Sequence, residues 1–366
     1  MRRSYVRRVR LTPAIASMIV LAAGCIAGCG GSGSTAGTHE QGHPAATSSS
    51  AGGGRQASAA RRLMGLPALP SNSPLPGYLL IADRDNNRLI AVSPSKRIVW
   101  RFPSAGDLRP GQAFAGPDDA FLTPSGRGIT INEEFSDALA LIRLGRRPRI
   151  AFQYGRNDVP GSGPGYLSHP DDAYRLRNGL ISVADIINCR VLFIRPGHGI
   201  ARSIGQAGDC VHNPPRSLSQ PNGDTPLPDG GVLVTEIGGW VDRFDRHGRL
   251  RWTIRTPTSY PSDAQLLPNG DVLVAGFDDP GHIYVLTQRG KVIWSYGPAA
   301  GDGALNKPSL ALPLSGRLIG ATDDYGQRIV VIDRHTKKIV WQYGHLDQPG
   351  SAPGYLNKPD GLDLIR

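Results

Sequence analysis

The chain has 366 residues, 39% of them apolar, and carries 41 Lys and Arg against 30 Asp and Glu, so its length allows one large domain or two small ones. The formal net charge of +11 at first suggests a nucleic-acid partner, but Arg2, Arg3, Arg7, Arg8 and Arg10 crowd the extreme N-terminus with no acid among them. The rest of the chain mixes both signs, without the basic face or stripe that a polyanion requires, and nucleic acid is excluded.

Residues 1–29 have the form of a bacterial export signal: a cationic start, the short apolar run AIASMIVLAAGCIAGC, and a small-residue exit. The run is too short and too rich in Gly and Ala for a membrane-spanning helix. Ile26-Ala27-Gly28-Cys29 resembles a lipobox, which implies lipidation at Cys29, cleavage before it, and anchoring to the outer face of the bacterial cell membrane through the lipid. Cys25 is a competing position, with Ala22 where a branched residue is usual. Arg2-Arg3-Ser4-Tyr5-Val6-Arg7 resembles a loose twin-arginine motif, so both the Sec and the twin-arginine routes stay open. Residues 30–76, dominated at first by Gly, Ser, Ala and Thr, read as a flexible tether, because so few large apolar side chains cannot offset their own ordering entropy.

From residue 77 to 366 a phrase recurs: an anchoring proline, polar or acidic residues, an apolar run, a Gly turn, a β run ending in an acid, and two further β runs. It starts at Pro117 (PDDAFLTPSGRGITINEE), Pro170 (PDDAYRLRNGLISVAD), Pro221 (PNGDTPLPDGGVLVTE), Pro261 (PSDAQLLPNGDVLVAG) and Pro308 (PSLALPLSGRLIGATDD). Starts about 40 to 53 residues apart have the length of a four-stranded propeller blade. The fourth run carries an aromatic residue in five units (Trp100, Phe152, Trp252, Trp294 and Trp341), suited to filling the gap between twisted neighbouring sheets. The loops YGRNDVPGSGPGYLSHPDD from Tyr154 and YGHLDQPGSAPGYLNKPDG from Tyr343 also match, 189 residues apart, and predict one specific conformation used twice.

Two fragments flank the five units. GYLLIADRDNNRLIAVSPSKRIVWRF from Gly77 enters at a second strand, and PDGLDLIR from Pro359 supplies only a first. Joined, they make one more blade. The expected fold is therefore all-β, a six-bladed β-propeller closed by pairing of the C-terminal strand with the N-terminal blade, which leaves no sheet edge at the seam. The YG…G…L…P-D-G…V-A-D…N-R-L pattern resembles NHL repeats, and the aromatic fourth strand resembles PQQ-like repeats. The resemblance spans residues 77–366 and implies fold more than function.

Cys189 and Cys210 fall within one repeat, in no metal-binding spacing and without a His cluster; outside the cytosol such a pair predicts a structural disulfide. The residue after each anchoring proline is polar, and the next position adds more acids. Asp118, Asp171, Asn222, Asp263 and Asp360 are the candidate ligand or cation ring, with Asp119 and Asp172 beside them. Two readings of the ring are open: oxygen ligands for a hard cation such as Ca²⁺, or caps that each bond their own turn. Glu236, Asp323 and Asp324, among the acids that follow each second strand, are secondary candidates.

The residues depart from each enzymatic propeller family that they resemble. Peptide-amidating lyases with NHL-type propellers hold zinc with histidines, whereas His169, His212, His282 and His335 share no repeat offset, so no metal site and no catalytic residue is assigned. SDAQLLPNGDVLVAGF resembles an arylsulfotransferase phrase, with Ser262 where its His is expected. Glu236, Asn222 and Asp263 match a gluconolactonase-like set by residue type only. No cofactor is assigned; a quinone propeller stays open. The expected function is an exported, lipid-anchored monomeric scaffold for a protein, glycan or small-molecule ligand. The alternative is a channel-mouth, divalent-cation-dependent hydrolase or transferase.

Overall fold

Runs such as Tyr78–Asp83, Ile181–Asp185 and Val272–Gly276 are buried along their whole length. A strand apolar on both faces needs packing against each face. The computed structural model describes residues 59–366 and meets this need with six small antiparallel sheets, arranged as a six-bladed β-propeller.

Blade 1 orders its strands as Pro359–Ile365, Tyr78–Asp83, Arg88–Val92 and Ile98–Phe102 from the channel outward. Its inner strand is the C-terminal one, and it pairs antiparallel with the first strand of the domain: Leu79 with Leu364, Leu80 with Asp363 and Ile81 with Leu362. Blade 2 follows with Ala120–Leu122, Gly128–Glu133, Ala138–Arg143 and Arg149–Gly155, and blade 3 with Pro170–Arg175, Ile181–Asp185, Arg190–Arg195 and Gly199–Gly205. Blade 4 has only Val232–Glu236, Trp240–Phe244 and Leu250–Arg255 as regular strands. Blade 5 comprises Pro261–Leu266, Val272–Gly276, His282–Leu286 and Val292–Tyr296, and blade 6 comprises Ala311–Pro313, Leu318–Asp323, Arg328–Asp333 and Lys338–Gly344.

Blade 4 departs from the regular unit expected of it. Its inner segment joins the sheet without forming a regular strand: Pro221 bridges Glu236, Pro226 bridges Val232, and Asn222 N donates to Thr235 O at 2.9 Å between them. Pro226 has no N–H to give a ladder. Asp224, fully buried, replaces the small Ala120, Ala173, Ala264 or Ala311 found at this step in four other blades.

The core is divided among the blade interfaces. Leu80, Ala82, Leu89 and Ala91 of blade 1 pack with Ile129, Ile131, Ala140 and Ile142 of blade 2. The alternate residues Leu79, Ile81, Ile90 and Val92 face Ile329, Val331, Trp341 and Tyr343 of blade 6. This is the period-two alternation of a strand, with both faces apolar because each has a neighbouring blade. The aromatic fourth strands take the expected position. Trp294 Nε1 donates to Arg334 O at 2.8 Å and Trp341 Nε1 to Pro94 O at 2.9 Å, each reaching into the next blade.

The acids that end the second strands form a repeated clamp. Asp83, Asp185 and Asp323 accept the backbone N–H of Asn357, Ser168 and Asn306, each two residues before an anchoring proline. Their other oxygens meet Arg88 at 2.6 Å, Arg190 at 2.8 Å and Arg328 at 2.7 Å. Asp323, a secondary site candidate, thus sits in this clamp. Both Asp323 and Arg328 are essentially inaccessible. Removing one member strands a buried charge, so Arg328→Ala should cost about 3–5 kcal/mol in urea unfolding.

The twin loops share one conformation: Gly161 N donates to Leu167 O and Gly350 N to Leu356 O, both at 2.9 Å. Gly165 N bonds the Tyr154 hydroxyl at 2.9 Å, as Gly354 N bonds that of Tyr343 at 3.0 Å. Cys189 and Cys210 form the expected disulfide.

The export signal (1–29), the lipidation site Cys29 and the tether up to residue 58 lie outside the described residues. The rest of the expected tether includes a helical turn at 59–63, and Ala60, Met64 and Leu66 are buried against blades 1 and 2. The apolar content of RRLMGLPALP (61–70) accounts for this docking; average composition over 30–76 concealed it.

Candidate functional site at the channel mouth

Each inner strand begins beside the end of its second strand: Pro359 pairs with Asp83, Pro170 with Asp185 and Pro261 with Gly276. The residues just after the prolines and just after the second strands therefore meet at one face of the disc. After the prolines stand Asp360, Asp118, Asp171, Asn222, Ser262 and Ser309; after the second strands stand Arg84, Glu134, Ile186, Ile237, Phe277 and Asp324. Blades 6, 1 and 2, with Asp171 of blade 3, thus give a charged sector, and blades 4 and 5, with Ile186 of blade 3, an apolar and neutral one.

Hydrogen bonds join the polar ring across the blades. Arg84 Nη1 donates to Asp118 Oδ1 at 2.9 Å and to Asp360 Oδ2. Asn132 Nδ2 lies 3.4 Å from Asp118 Oδ2 and 3.3 Å from Asp171 Oδ1. Asn222 Nδ2 donates to Asp171 Oδ2 at 2.6 Å and Ser262 Oγ at 3.0 Å, and the Tyr260 hydroxyl donates to Asn222 Oδ1 at 2.7 Å. Ser309 Oγ donates to Asp324 Oδ1 and Asp360 O, both at 3.1 Å. Four of the candidates, Asp118, Asp171, Asn222 and Asp360, belong to this ring. Asp263 does not: it lies one step deeper, where Thr225 Oγ1 and Gln265 Nε2 each donate to its Oδ1 at 3.1 Å.

Asp118, Asp119 and Asp171 converge. One carboxylate oxygen from each lies within 4.8 Å of the others. Asp172 and Asp224 continue the acidic cluster inward, with Asp224 N donating to Asp172 Oδ2 at 3.2 Å. Asp172 has φ 39°, a left-handed backbone that a non-glycine residue adopts only at a cost of order 1–3 kcal/mol. Gly223 lets this layer close up: a Cβ there would meet Thr235 Oγ1 at 2.9 Å and Asp172 Oδ2 at 3.0 Å. Below, Phe121 stacks on Tyr174 with ring centroids 3.9 Å apart. The Tyr174 hydroxyl is buried beside Asp172, Asp263, Asp119 and Asp224, with no hydrogen-bond partner among the described residues.

The electrostatics are lopsided. Burial, then mutual repulsion, pushes Asp118, Asp119 and Asp172 well above the usual carboxylate range. Burial raises Glu134 to about 8, with Asp171 and Asp360 adding to it. Burial also raises Asp171 to about 6, although contacts from Asp119 and Asp118 hold it down. Asp324 is raised by burial and by Asp360, against the pull of Arg84. Arg84 is drawn the other way, its charge fixed by Asp360, Asp118 and Asp324 against the cost of its burial.

Around this mouth, Phe135, Ile187 and Tyr325, each two residues beyond a second strand, are 62%, 49% and 38% exposed. Lys307 Nζ lies 4.6 Å from the Tyr325 ring centroid and 5.4 Å from that of Phe277. Two clefts of about 570 and 440 Å³ lie elsewhere, where residues 62–74 pack on blades 1 and 2, and none of the ring residues lines either.

The sequence pattern located the proline-adjacent ring but missed Arg84, Asn132, Asp224, Tyr174 and Tyr260. Superposing the repeats offers a signal for Arg84, since the other blades place an acid or an apolar residue there.

No family model and no curated protein matches the chain. Among solved structures it is similar to a protein of unknown function from Bacteroides caccae, at 17% identity and TM-score 0.55, over 78% of this chain and 98% of that one. It is also similar to a streptogramin B lyase structure (17% identity, TM-score 0.49, 81% of this chain and 88% of that one). A catalytically inactive virginiamycin B lyase from Staphylococcus aureus, solved with quinupristin, matches at 18% identity and TM-score 0.41, over 64% and 71% of the two chains. At these identities the likeness concerns the fold alone.

Proposed function

We propose that this chain is an exported, lipid-anchored propeller of the NHL/PQQ-like kind, a binding scaffold whose channel holds a divalent cation on Asp118, Asp119 and Asp171. The C-terminal strand closes its ring, and the mouth around the cation is its binding face. The observation that carries the cation reading is the convergence of three buried carboxylates from two blades within 4.8 Å. Ligand oxygens at 2.3–2.6 Å from a shared hard cation reach such mutual separations. Arg84 faces Asp118 and Asp360, so the Asp119–Asp171 side of the cluster has protons or a cation as its remaining means of neutralisation. The unpartnered Tyr174 hydroxyl beside Asp119 marks a polar space that wants a further occupant. Exposed Phe135, Ile187 and Tyr325 give the rim an apolar contact surface.

A channel-mouth hydrolase or transferase is the second reading, favoured by Glu134. In the cation-free channel, burial and then Asp171 and Asp360 raise it to about 8, against the pull of Arg84, which is the range of a general acid at neutral pH.

Thermal unfolding of the purified protein with Ca²⁺, Mg²⁺ or Mn²⁺ tests the cation. At a concentration about a hundredfold above Kd, binding should add about 2.7 kcal/mol. Asp171→Asn keeps the shape of the side chain and should abolish that gain. Equal gains in both proteins, or none in either, would remove the cation from the account.

A further inference from the structure

Blade 4 departs at one point from the clamp of blades 1, 3 and 6; blades 2 and 5, with Ala138 opposite Glu133 and His282 opposite Gly276, lack the arginine as well. In blades 1, 3 and 6 the residue opposite the clamp acid is Arg88, Arg190 or Arg328; in blade 4 Trp240 stands opposite Glu236. Two residues further along the third strand, Ile90, Leu192 and Val330 give way to Asp242, which is fully buried. One buried cation is thus lost and one buried acid gained at a single place in the fold. Its side-chain neighbours, the Glu236 carboxyl and the Thr253 hydroxyl, bring it no positive charge.

His212, from the loop between blades 3 and 4, fills the position that the arginine leaves. Its Nδ1 lies 3.1 Å from Glu236 Oε1 and 3.8 Å from Asp242 Oδ2. The imidazole lies flat on Trp240, with centroids 4.2 Å apart and planes 3° apart. Ser219 donates its backbone N–H at 2.5 Å and its hydroxyl at 2.8 Å to the other Glu236 oxygen, which fixes the carboxylate plane. The disulfide at Cys210 pins the same loop close to His212. Each part restrains one donor of the trio.

We propose that His212, Glu236 and Asp242 form a second metal site, for a divalent ion of the zinc class. One imidazole nitrogen and two carboxylate oxygens suit zinc, whereas calcium takes six to eight oxygens. Zinc bonds of about 2.0–2.2 Å in a tetrahedron put donors roughly 3.3 Å apart. The separations of 3.1 and 3.8 Å from Nδ1 bracket that value. Three protein ligands leave a fourth position open, and the His212 side chain, 18% exposed, gives access from solvent. Ser219 is then a positioning residue for Glu236. The ligands are distinct from those of the channel, so either site can fail without the other.

Co²⁺ titration of the chelator-stripped protein, read by visible absorption and competed with Zn²⁺, tests this site. One equivalent of Co²⁺ should produce ligand-field bands that Zn²⁺ abolishes. His212→Ala should weaken Co²⁺ binding by more than about a hundredfold, and Ser219→Ala by about tenfold, the range of an orienting partner. Asp242→Asn, nearly unchanged in shape, serves as the second ligand variant and should lose the bands as well. Asp171→Asn should keep them. Absence of saturable bands in the unaltered protein, or bands that persist in both His212→Ala and Asp242→Asn, would overturn the assignment.

Discussion

Deleting Pro359–Arg366 should abolish cooperative folding rather than trim one edge of the disc. The segment is the inner strand of blade 1, with Leu362 and Ile365 fully buried between blades. Losing two such side chains forgoes about 1.5–3 kcal/mol each before any hydrogen bond is counted. The paired edge of Tyr78–Asp83 would then face the channel unpaired. Asp363 is lost too, and its Oδ2 accepts the Leu122 N–H of blade 2 at 2.8 Å. A domain is stable by only about 5–15 kcal/mol in total, so the combined loss should exceed what the remaining blades can bear. Far-UV dichroism and urea unfolding of the truncated protein check this. A sharp transition of near-normal amplitude would show that the terminal strand is not what closes the ring.

The second large effect is on pH. An acid whose folded pKa lies above its unfolded value binds its proton more tightly in the folded chain. Its favourable contribution is present below about pH 4 and is lost as pH rises through the folded pKa. Asp171 at about 6, Asp263 at about 7 and Glu134 at about 8, each raised first of all by burial, place that loss between pH 4 and 8. In chelator the protein should therefore melt higher at pH 5.5 than at pH 8, by about 5 °C or more given the roughly 1.4 kcal/mol that each pKa unit represents. A divalent cation replaces the protons, so with saturating Ca²⁺ the difference should shrink or reverse. A melting temperature that rises with pH in chelator would contradict this picture of the channel.

These effects trace back to features of unequal visibility in the sequence. The repeat was legible because every unit reuses the anchoring proline and the turn glycine, and all but blade 5, where Gly276 stands instead, reuse the terminal acid. The two half-units at Gly77 and Pro359 named their own partner. The Cys189–Cys210 disulfide followed from both residues falling in one repeat. The ring of Asp118, Asp171, Asn222 and Asp360 was legible from its fixed offset. Asp263 is the exception: it stands two residues after its proline, at the offset of Asp119 and Asp172, and takes their deeper level, while Ser262 holds the ring position of blade 5. Arg84 was hidden since its partners Asp118 and Asp360 lie 34 and 276 residues away. His212 was hidden for a similar reason. Its loop position carries no periodicity, and only the irregularities at Trp240 and Asp242 mark the space that it fills. Local order recurs in sequence, whereas contacts between blades recur only once the ring has formed.

A divalent cation held by two blades in the channel should be visible in crystals grown with Mn²⁺, through an anomalous difference map. The expected peak lies about 2.0–2.6 Å from oxygens of Asp118, Asp119 and Asp171. A map of good quality with no peak among those carboxylates, and with the carboxyl groups hydrogen-bonded to one another instead, would contradict it.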